Sequence, residues 1–285
     1  MLDQLFVRFD GAFSENTLRA YRSDFKQYEA WCAKKKQPSL PATADLIAEY
    51  VDFMATSNKS ATIRRRINSL GTVFKLSKNS DPTKEPEVVL ALKRMHRKIG
   101  RHQKQATPLT RDILDQLLQQ CGSNIKGQRD RILLLLGYET MRRRSELCNF
   151  KFEDLARIPG RGHTIRLIRS KTDQEGASKL ITISASLHRL IMEWQNQHQL
   201  KGFILKSVDR HGNVGAELHS GAIGAILNKL TAKLGREVVD YRFSGHSFRV
   251  GAAIDLLEAG SSLEEIMLRG GWRTQDTAMN YLRSW

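Results

Sequence analysis

Ser244-Gly245-His246-Ser247-Phe248-Arg249-Val250-Gly251-Ala252-Ala253, followed by Gly270-Gly271-Trp272 and, nine residues after Trp272, by Tyr281, is the stretch on which the fold and the chemistry both turn. Its apolar spacing reads as a helix from Ser247 to Glu258 ended by Gly260, a second from Leu263 to Arg269, and a third from Thr274 to the end. His246 and Arg249 then share one helical face, which lets both reach one phosphate. Taken singly, each residue has an ordinary structural reading. Trp272 can fill a core gap, Tyr281 can pack under an amphipathic helix, and a lone His-x-x-Arg is weak.

Two further islands lie upstream. Arg143-Arg144-Ser145-Glu146 puts a guanidinium and a carboxylate three residues apart on a short helix, so Glu146 can hold Arg143 in place. Ser170-Lys171-Thr172 follows an alternating stretch, Thr164 to Arg169, that reads as a strand, with Leu180-Ile181-Thr182-Ile183 returning beside it. Lys171 therefore falls at a hairpin tip. Between Pro108 and Arg143, Thr110 is a good N-cap for a helix through Leu118, and a second helix is expected from about Gln128 to Thr140. Helices are also expected from Leu187 to Gln197 and from Ser220 to Leu234.

The amino-terminal third repeats apolar residues at three-and-four spacing: Leu18 to Cys32, Ile47 to Met54, Ile63 to Phe74 and Val88 to Ile99. Four helices are expected there, the third capped by Ser60 and the fourth introduced by Pro82 and Pro86. The domains expected are 1–100, a basic linker 101–108, and 109–285.

Composition names the partner. The 285 residues carry 46 Lys and Arg against 30 Asp and Glu, a formal net charge of +16, which points to a polyanion. Residues 1–108 hold 20 basic and 11 acidic side chains and the remainder 26 and 19, so both halves are basic. Two lobes that touch phosphate, joined by a basic strap, are the simplest arrangement. The strap is Lys93, Arg94, Arg97, Lys98, Arg101 and Lys104, in a stretch without a carboxylate from Val88 to Arg111. Arg64, Arg65 and Arg66, with Thr62 and Ser69, lie off the apolar stripe of the third helix, where a helix entering a groove carries its contacts. A solvated charged face is an equally ordinary reading of that helix.

Other chemistries find no support. Gly122 to Gly127 has the outline of a phosphate loop, but Gln128 and Arg129 stand where Lys and Ser or Thr belong. The eight histidines lack metal-ligand spacing, the acidic residues form no cluster, and the three cysteines are widely separated. No signal-like or membrane-spanning segment is apparent, the longest apolar run being Ile132 to Leu136. A cytoplasmic, nucleoid-associated protein is expected. What the islands do supply together is a nucleophile, two permanent cations, a mobile proton donor and orienting groups, the set needed to cut and rejoin DNA without metal.

The wording from Ser244 to Ala253, through Gly270-Gly271-Trp272, to Tyr281 closely resembles the tyrosine site-specific recombinases of the phage integrase family, most of all the Cre-like branch. The resemblance implies a mainly α fold: a helical, SAM-like core-binding domain followed by a mostly helical catalytic domain with a small β-sheet. It implies that Tyr281 is the nucleophile, Arg143 and Arg249 the phosphate-binding arginines, and Lys171 the hairpin lysine. His246 matches the histidine of the motif, Trp272 a position held by His or Trp, and Glu146 the supporting acid. Met141 and Arg142 stand where the family usually shows Gly and an apolar residue, and spacing to Glu146 selects Arg143 from the run Arg142-Arg143-Arg144.

The implied reaction forms a 3′-phosphotyrosyl bond and a free 5′-hydroxyl, with no ATP, metal or other cofactor. The implied partners are double-stranded DNA with paired inverted half-sites and further copies of the chain, tetrameric on synapsed DNA. A topoisomerase-like nicking and resealing enzyme, or a non-catalytic DNA-binding regulator, stands as the alternative. The chain given ends four residues after Tyr281, where relatives commonly continue into a helix that docks on a neighbour, so single-site cleavage is expected to survive better than exchange.

Overall fold

The computed structural model describes residues 6–7, 9, 11–102, 105–168, 178–235 and 242–282. The chain divides into two compact units, Met1–Lys104 and Gln105–Trp285. Helix predominates in both, and among the described residues no helix is long and apolar enough to cross a membrane.

The first unit holds α1 (Glu15–Lys34), α2 (Ala44–Met54), α3 (Ser60–Leu76) and α4 (Pro86–Ile99). These match the four apolar repeats, because each repeat closes on a common core. Tyr28, Tyr50, Phe25 and Phe74 are fully buried there, the Tyr28 and Tyr50 rings 5.2 Å apart and edge-on. Side chains of Ser14 and Thr43 accept from backbone N–H groups in the first turns of α1 and α2. Pro86 opens α4, where its missing N–H costs nothing. Ser60 departs from expectation: Lys59 holds the cap position, and Ser60 is the first helical residue, its Oγ 3.1 Å from His96 Nδ1. The α3–α4 contact takes the hydroxyl that the helix end was expected to use.

The second unit runs α5 (Arg111–Gln119), α6 (Ile125–Thr140), α7 (Arg144–Asn149), β1 (Leu155–Ile158), β2 (Gly162–Leu167) and β3 (Lys179–Thr182). It continues through α8 (Ala185–Gln197), α9 (Ala222–Thr231), α10 (Ser247–Glu258), α11 (Leu263–Gly270) and α12 (Gln275–Leu282). The sheet is antiparallel in the order β1-β2-β3, with Leu155 opposite Ile165 and Ile165 opposite Ile181. β1 was not foreseen, since four residues beside a 3₁₀ turn carry too short a pattern to read. The hairpin residues 169–177, Lys171 among them, lie outside the described residues.

Thr110 holds the N-cap position of α5, as expected, without a side-chain cap bond. One further expectation is corrected. α6 starts earlier than periodicity suggested because Asn124 caps it, its side chain accepting from Gly127 N–H at 2.9 Å. The Gly122–Gly127 outline is thus a capping turn, so tight that a Cβ on Gly127 would lie 2.0 Å from Gly122 O. The three cysteines are all buried, and burial pushes the Cys121 and Cys148 thiols up to about 11.

α6 and α10 form the middle of this unit. Residues Ser247 to Ile254 of α10 are all buried, and its small residues let the backbone approach Leu109, whose N–H donates to Ser247 O at 3.0 Å. A Cβ on Gly251 would lie 1.9 Å from Leu109 O, a backbone atom that cannot swing aside. Gly224 in α9 has nothing within 4 Å of the same position. Gly251→Ala is therefore expected to destabilise the unit by about 3 kcal/mol or more, whereas Gly224→Ala is expected to be neutral or to stabilise by up to about 1 kcal/mol. Denaturant titration of the two variants checks the contrast, and equal stabilities would refute the close approach.

Candidate active site

The site is assembled where α6 ends, α7 and α10 begin, and α11 hands over to α12. α6 stops at Met141, whose φ of +54° is left-handed. That conformation is uncommon outside glycine. Met141 is nevertheless fully buried among Val250, Ile254 and Ile266, so its side chain is held by packing while its backbone turns. The turn directs the Met141 carbonyl to accept from Arg249 Nη1 at 3.0 Å.

Arg249 is only 1% exposed, the largest fully buried side chain among the described residues. Its guanidinium lies 4.8 Å from the centroid of the Trp272 ring, a cation–π contact, and Trp272 in turn lies 5.2 Å from the half-buried Tyr281 ring. Burial, reinforced by the charges of Arg143 and Arg142 and opposed by Tyr281 and Glu146, pushes Arg249 down to about 10. Arg249 Nε and Trp272 Nε1 are buried donors with no acceptor among the described residues. Two such unused donors beside clustered cations suit an anion rich in lone pairs.

Arg143 occupies the N-cap of α7 and is a quarter exposed. Glu146 holds it twice, accepting from Arg143 N–H at 3.0 Å and from Arg143 Nη1 at 2.9 Å. Burial alone would raise the Glu146 pKa, but these hydrogen bonds and the neighbouring arginine charges outweigh it, leaving Glu146 below the usual glutamate value. The spacing argument for Arg143 over its neighbours agrees with this geometry. Arg142 faces the other way: it is 3% exposed, donates from Nε to Thr140 O at 2.7 Å and from Nη2 to Arg269 O. Burial and the charge of Arg143, opposed by Glu146, push it down to about 10. Arg142 thus ties the end of α11 to the end of α6, immediately before Trp272. Gly271, at φ +70°, leaves room for it, since a Cβ there would sit 2.6 Å from Arg142 Nη1.

His246 is exposed and holds the position before the first helical residue of α10, its N–H donating to Ser244 Oγ at 3.3 Å, while Arg249, three residues on, is buried. Among the described residues, no group of three or more His, Cys, Asp or Glu side chains could hold a metal ion.

The basic set of the first unit also divides. Arg64 is exposed, whereas Arg65 is bound through both Nη atoms to Asp24. Arg66 is partly buried, its side chain 16% exposed, with Nη1 3.8 Å from Met54 Sδ and Nε 3.9 Å from Asp24. Ser69, expected beside it on the outer face, is buried. Lys93, Arg94, Arg97, Lys98 and Arg101 are exposed, Arg94 pairing with Asp52 at 3.3 Å. Lys104, like Lys171, lies outside the described residues.

Glu146 gives the site a pH signature. Its folded pKa is depressed, so the stability it contributes is complete above its unfolded value of 4.5 and is lost as pH falls through the lower folded value. Glu146→Gln is expected to cost about 2 kcal/mol at pH 7, with the difference from wild type shrinking below about pH 4. Urea titrations at the two pH values check this. A difference that persists at low pH would assign the loss to shape alone.

The description "Phage integrase family" matches residues 107–285, and "Phage integrase, N-terminal SAM-like domain" matches residues 4–79. Recombinase Cre of Escherichia phage P1 is 27% identical over 96% of this chain and 85% of its own length. An integrase/recombinase XerD homolog of Selenomonas ruminantium is 26% identical over 96% and 83%. In fold, a lambda integrase dimer bound to a COC′ core site aligns with a TM-score of 0.67 at 18% identity, covering 98% of this chain and 93% of the other. A lambda integrase tetramer bound to a Holliday junction aligns at 0.65 and 17%, covering 98% and 75%. A SAM-like helical unit followed by a helical unit with a small sheet, carrying Arg143, Arg249, Trp272 and Tyr281 in this order, places the chain in the phage integrase family of tyrosine recombinases.

Proposed function

We propose that this chain is a site-specific DNA recombinase that cleaves and rejoins duplex DNA through a phosphotyrosyl intermediate. The observation that carries it is the contact series Arg249–Trp272–Tyr281 beside the Glu146-held Arg143. Tyr281 Oη attacks the scissile phosphorus, a 3′-phosphotyrosyl ester forms, and the bond to the 5′-oxygen breaks. Attack concentrates negative charge on the non-bridging oxygens, where two forked, permanently charged guanidiniums act and the Trp272 indole N–H adds a donor. One phosphoester replaces another, so the reaction needs no ATP.

The partner is double-stranded DNA, in keeping with the net charge of +16 and with the neighbours bound to a core site and to a Holliday junction. By the same likeness the chain acts as a multimer, four copies on two synapsed sites with paired inverted half-sites. Lys171, on the segment joining β2 to β3, is the general acid that protonates the departing 5′-oxygen, an alkoxide too basic to leave unaided. His246 is the next candidate for that proton.

Tyr281→Phe is expected to abolish the covalent protein–DNA product on a nicked suicide duplex while leaving duplex affinity nearly unchanged. Persistence of the product would move the nucleophile elsewhere. Arg143→Ala and Arg249→Ala are each expected to slow cleavage by about two to three orders of magnitude. Exchange between two duplexes by the wild type separates recombination from nicking and resealing alone.

Lys171→Ala is expected to be severely slow on ordinary DNA and largely rescued when the bridging 5′-oxygen is sulfur, since a thiolate leaves without a proton. Single-turnover cleavage of both substrates decides it. Equal losses would make Lys171 an electrostatic residue and pass the acid role to His246.

A further inference from the structure

Asp24 is a carboxylate 1% exposed inside the helical first unit, on the α1 face that meets α3. Its oxygens accept from Arg65 Nη1, from Arg65 Nη2 at 2.9 Å and from Ser69 Oγ at 2.7 Å, with Arg66 Nε 3.9 Å away. Arg65 itself is half exposed. It lies in an open groove of about 410 Å³, beside Tyr21, Arg64, Asn68 and Thr72. A buried charge is thus employed to fix the geometry of a surface residue. As a stabilising device that is a poor choice, because apolar residues of similar volume hold helices together at least as well as a buried ion pair.

The chemistry of the pair indicates its use. With both Nη atoms turned end-on to Asp24, the donors left on Arg65 are Nε–H and the outer Nη hydrogens. An arginine loses much rotamer freedom when it is fixed, and here that freedom is removed before any ligand arrives. Its charge is already matched by Asp24, so docking against phosphate would release little counterion. A neutralised, pre-fixed fork is instead suited to base edges, where arginine reads guanine O6 and N7 in the major groove. Positions 61, 64, 65, 68 and 72 recur at the spacing of one helical face, and Arg64 and Asn68 on that face are themselves base-reading residue types.

We propose that Asp24 is a positioning residue that presents Arg65 as a fixed base-reading fork, making the α3 groove a specificity-determining surface toward duplex DNA. The inference rests on the proposed DNA function and adds to it which residue sets selectivity, as distinct from affinity. Its counterpart is the strap Lys93, Arg97 and Lys98, exposed cations suited to phosphate.

The test uses the full chain and a pool of duplexes with a randomised segment, sequencing the bound fraction, together with titration of a random-sequence duplex at several salt concentrations. The wild type is expected to enrich a motif in which Arg65→Ala erases the preference at one or two base pairs. Asp24→Asn keeps the shape and an acceptor for Ser69, and is expected to weaken that same preference about tenfold, the scale of one bidentate base contact. The slope of log K against log salt is expected to steepen by about 0.9 as the released arginine takes a phosphate. Arg65→Lys, a change at a half-exposed position that keeps the charge but loses the fork, is expected to lose the preference too and serves if Asp24→Asn does not fold.

A purely structural ion pair gives a lower melting temperature for Asp24→Asn with preference and slope unchanged, and that result overturns the inference. So does a preference that survives Arg65→Lys. If the wild type enriches no motif, the inference and the proposed site-specific function fail together. If a motif is enriched but is indifferent to Arg65, only the inference fails.

Discussion

The architecture of the second unit depends on keeping one guanidinium out of water. Arg249 is buried to 1%, with the Met141 carbonyl at one Nη and the Trp272 ring against its face. Removing a cation from water is expensive unless its surroundings supply polar partners, so the elements that provide them cannot drift. α6 must end in a left-handed turn to aim its carbonyl, α10 must lie deep enough to bury the arginine stem, and the Gly270-Gly271 passage must deliver an indole to its face. Arg142 extends the same constraint by joining the Thr140 and Arg269 carbonyls across α6 and α11. Arg249 is thus held by a backbone acceptor at one Nη, while its Nε and the Trp272 Nε1 keep unused donors.

Much of this was legible in the sequence, and unevenly so. Helices showed wherever one face is apolar and the other wet, as in α1 to α4, because the solvent boundary writes the period. α6, buried nearly all round through Ile132, Leu133, Leu134 and Leu136, lacks that boundary, and its start was set by Asn124 instead. Arg143 and Glu146 could be paired from spacing alone, whereas Arg249, Trp272 and Tyr281 gained meaning only as a set with a family resemblance behind it. Arg142 and Arg66 each stand in a run of arginines, where like charges look like surface, yet both are largely buried. Only the fold shows which member of such a run turns inward. His246 and Arg249, alike in spacing, were separated by depth, which periodicity does not encode.

The two units use one device twice. In each, a carboxylate almost removed from solvent, Glu146 or Asp24, grips an arginine that stays partly exposed, Arg143 or Arg65. The carboxylate fixes direction and tempers charge, and the outward part of the guanidinium stays available. Around Arg143 the neighbours are the cations Arg142 and Arg249, an arrangement suited to a phosphoryl group. Around Arg65 they are Asn68, Thr72 and Tyr21, polar groups with directional hydrogen bonds. The two forks thus differ in what surrounds them rather than in how they are held.

The burial of all three cysteines has a practical consequence. With Cys121 and Cys148 pushed up to about 11, almost none of either is thiolate at neutral pH, and the thiolate is the reactive form. Cys32 is shifted upward by burial as well. The folded chain is therefore chemically silent toward maleimides and similar reagents, so one new cysteine at an exposed position would be the sole site of attachment for a fluorophore or spin label. Movements of α3 or α12 along a duplex could then be followed without first stripping out native thiols.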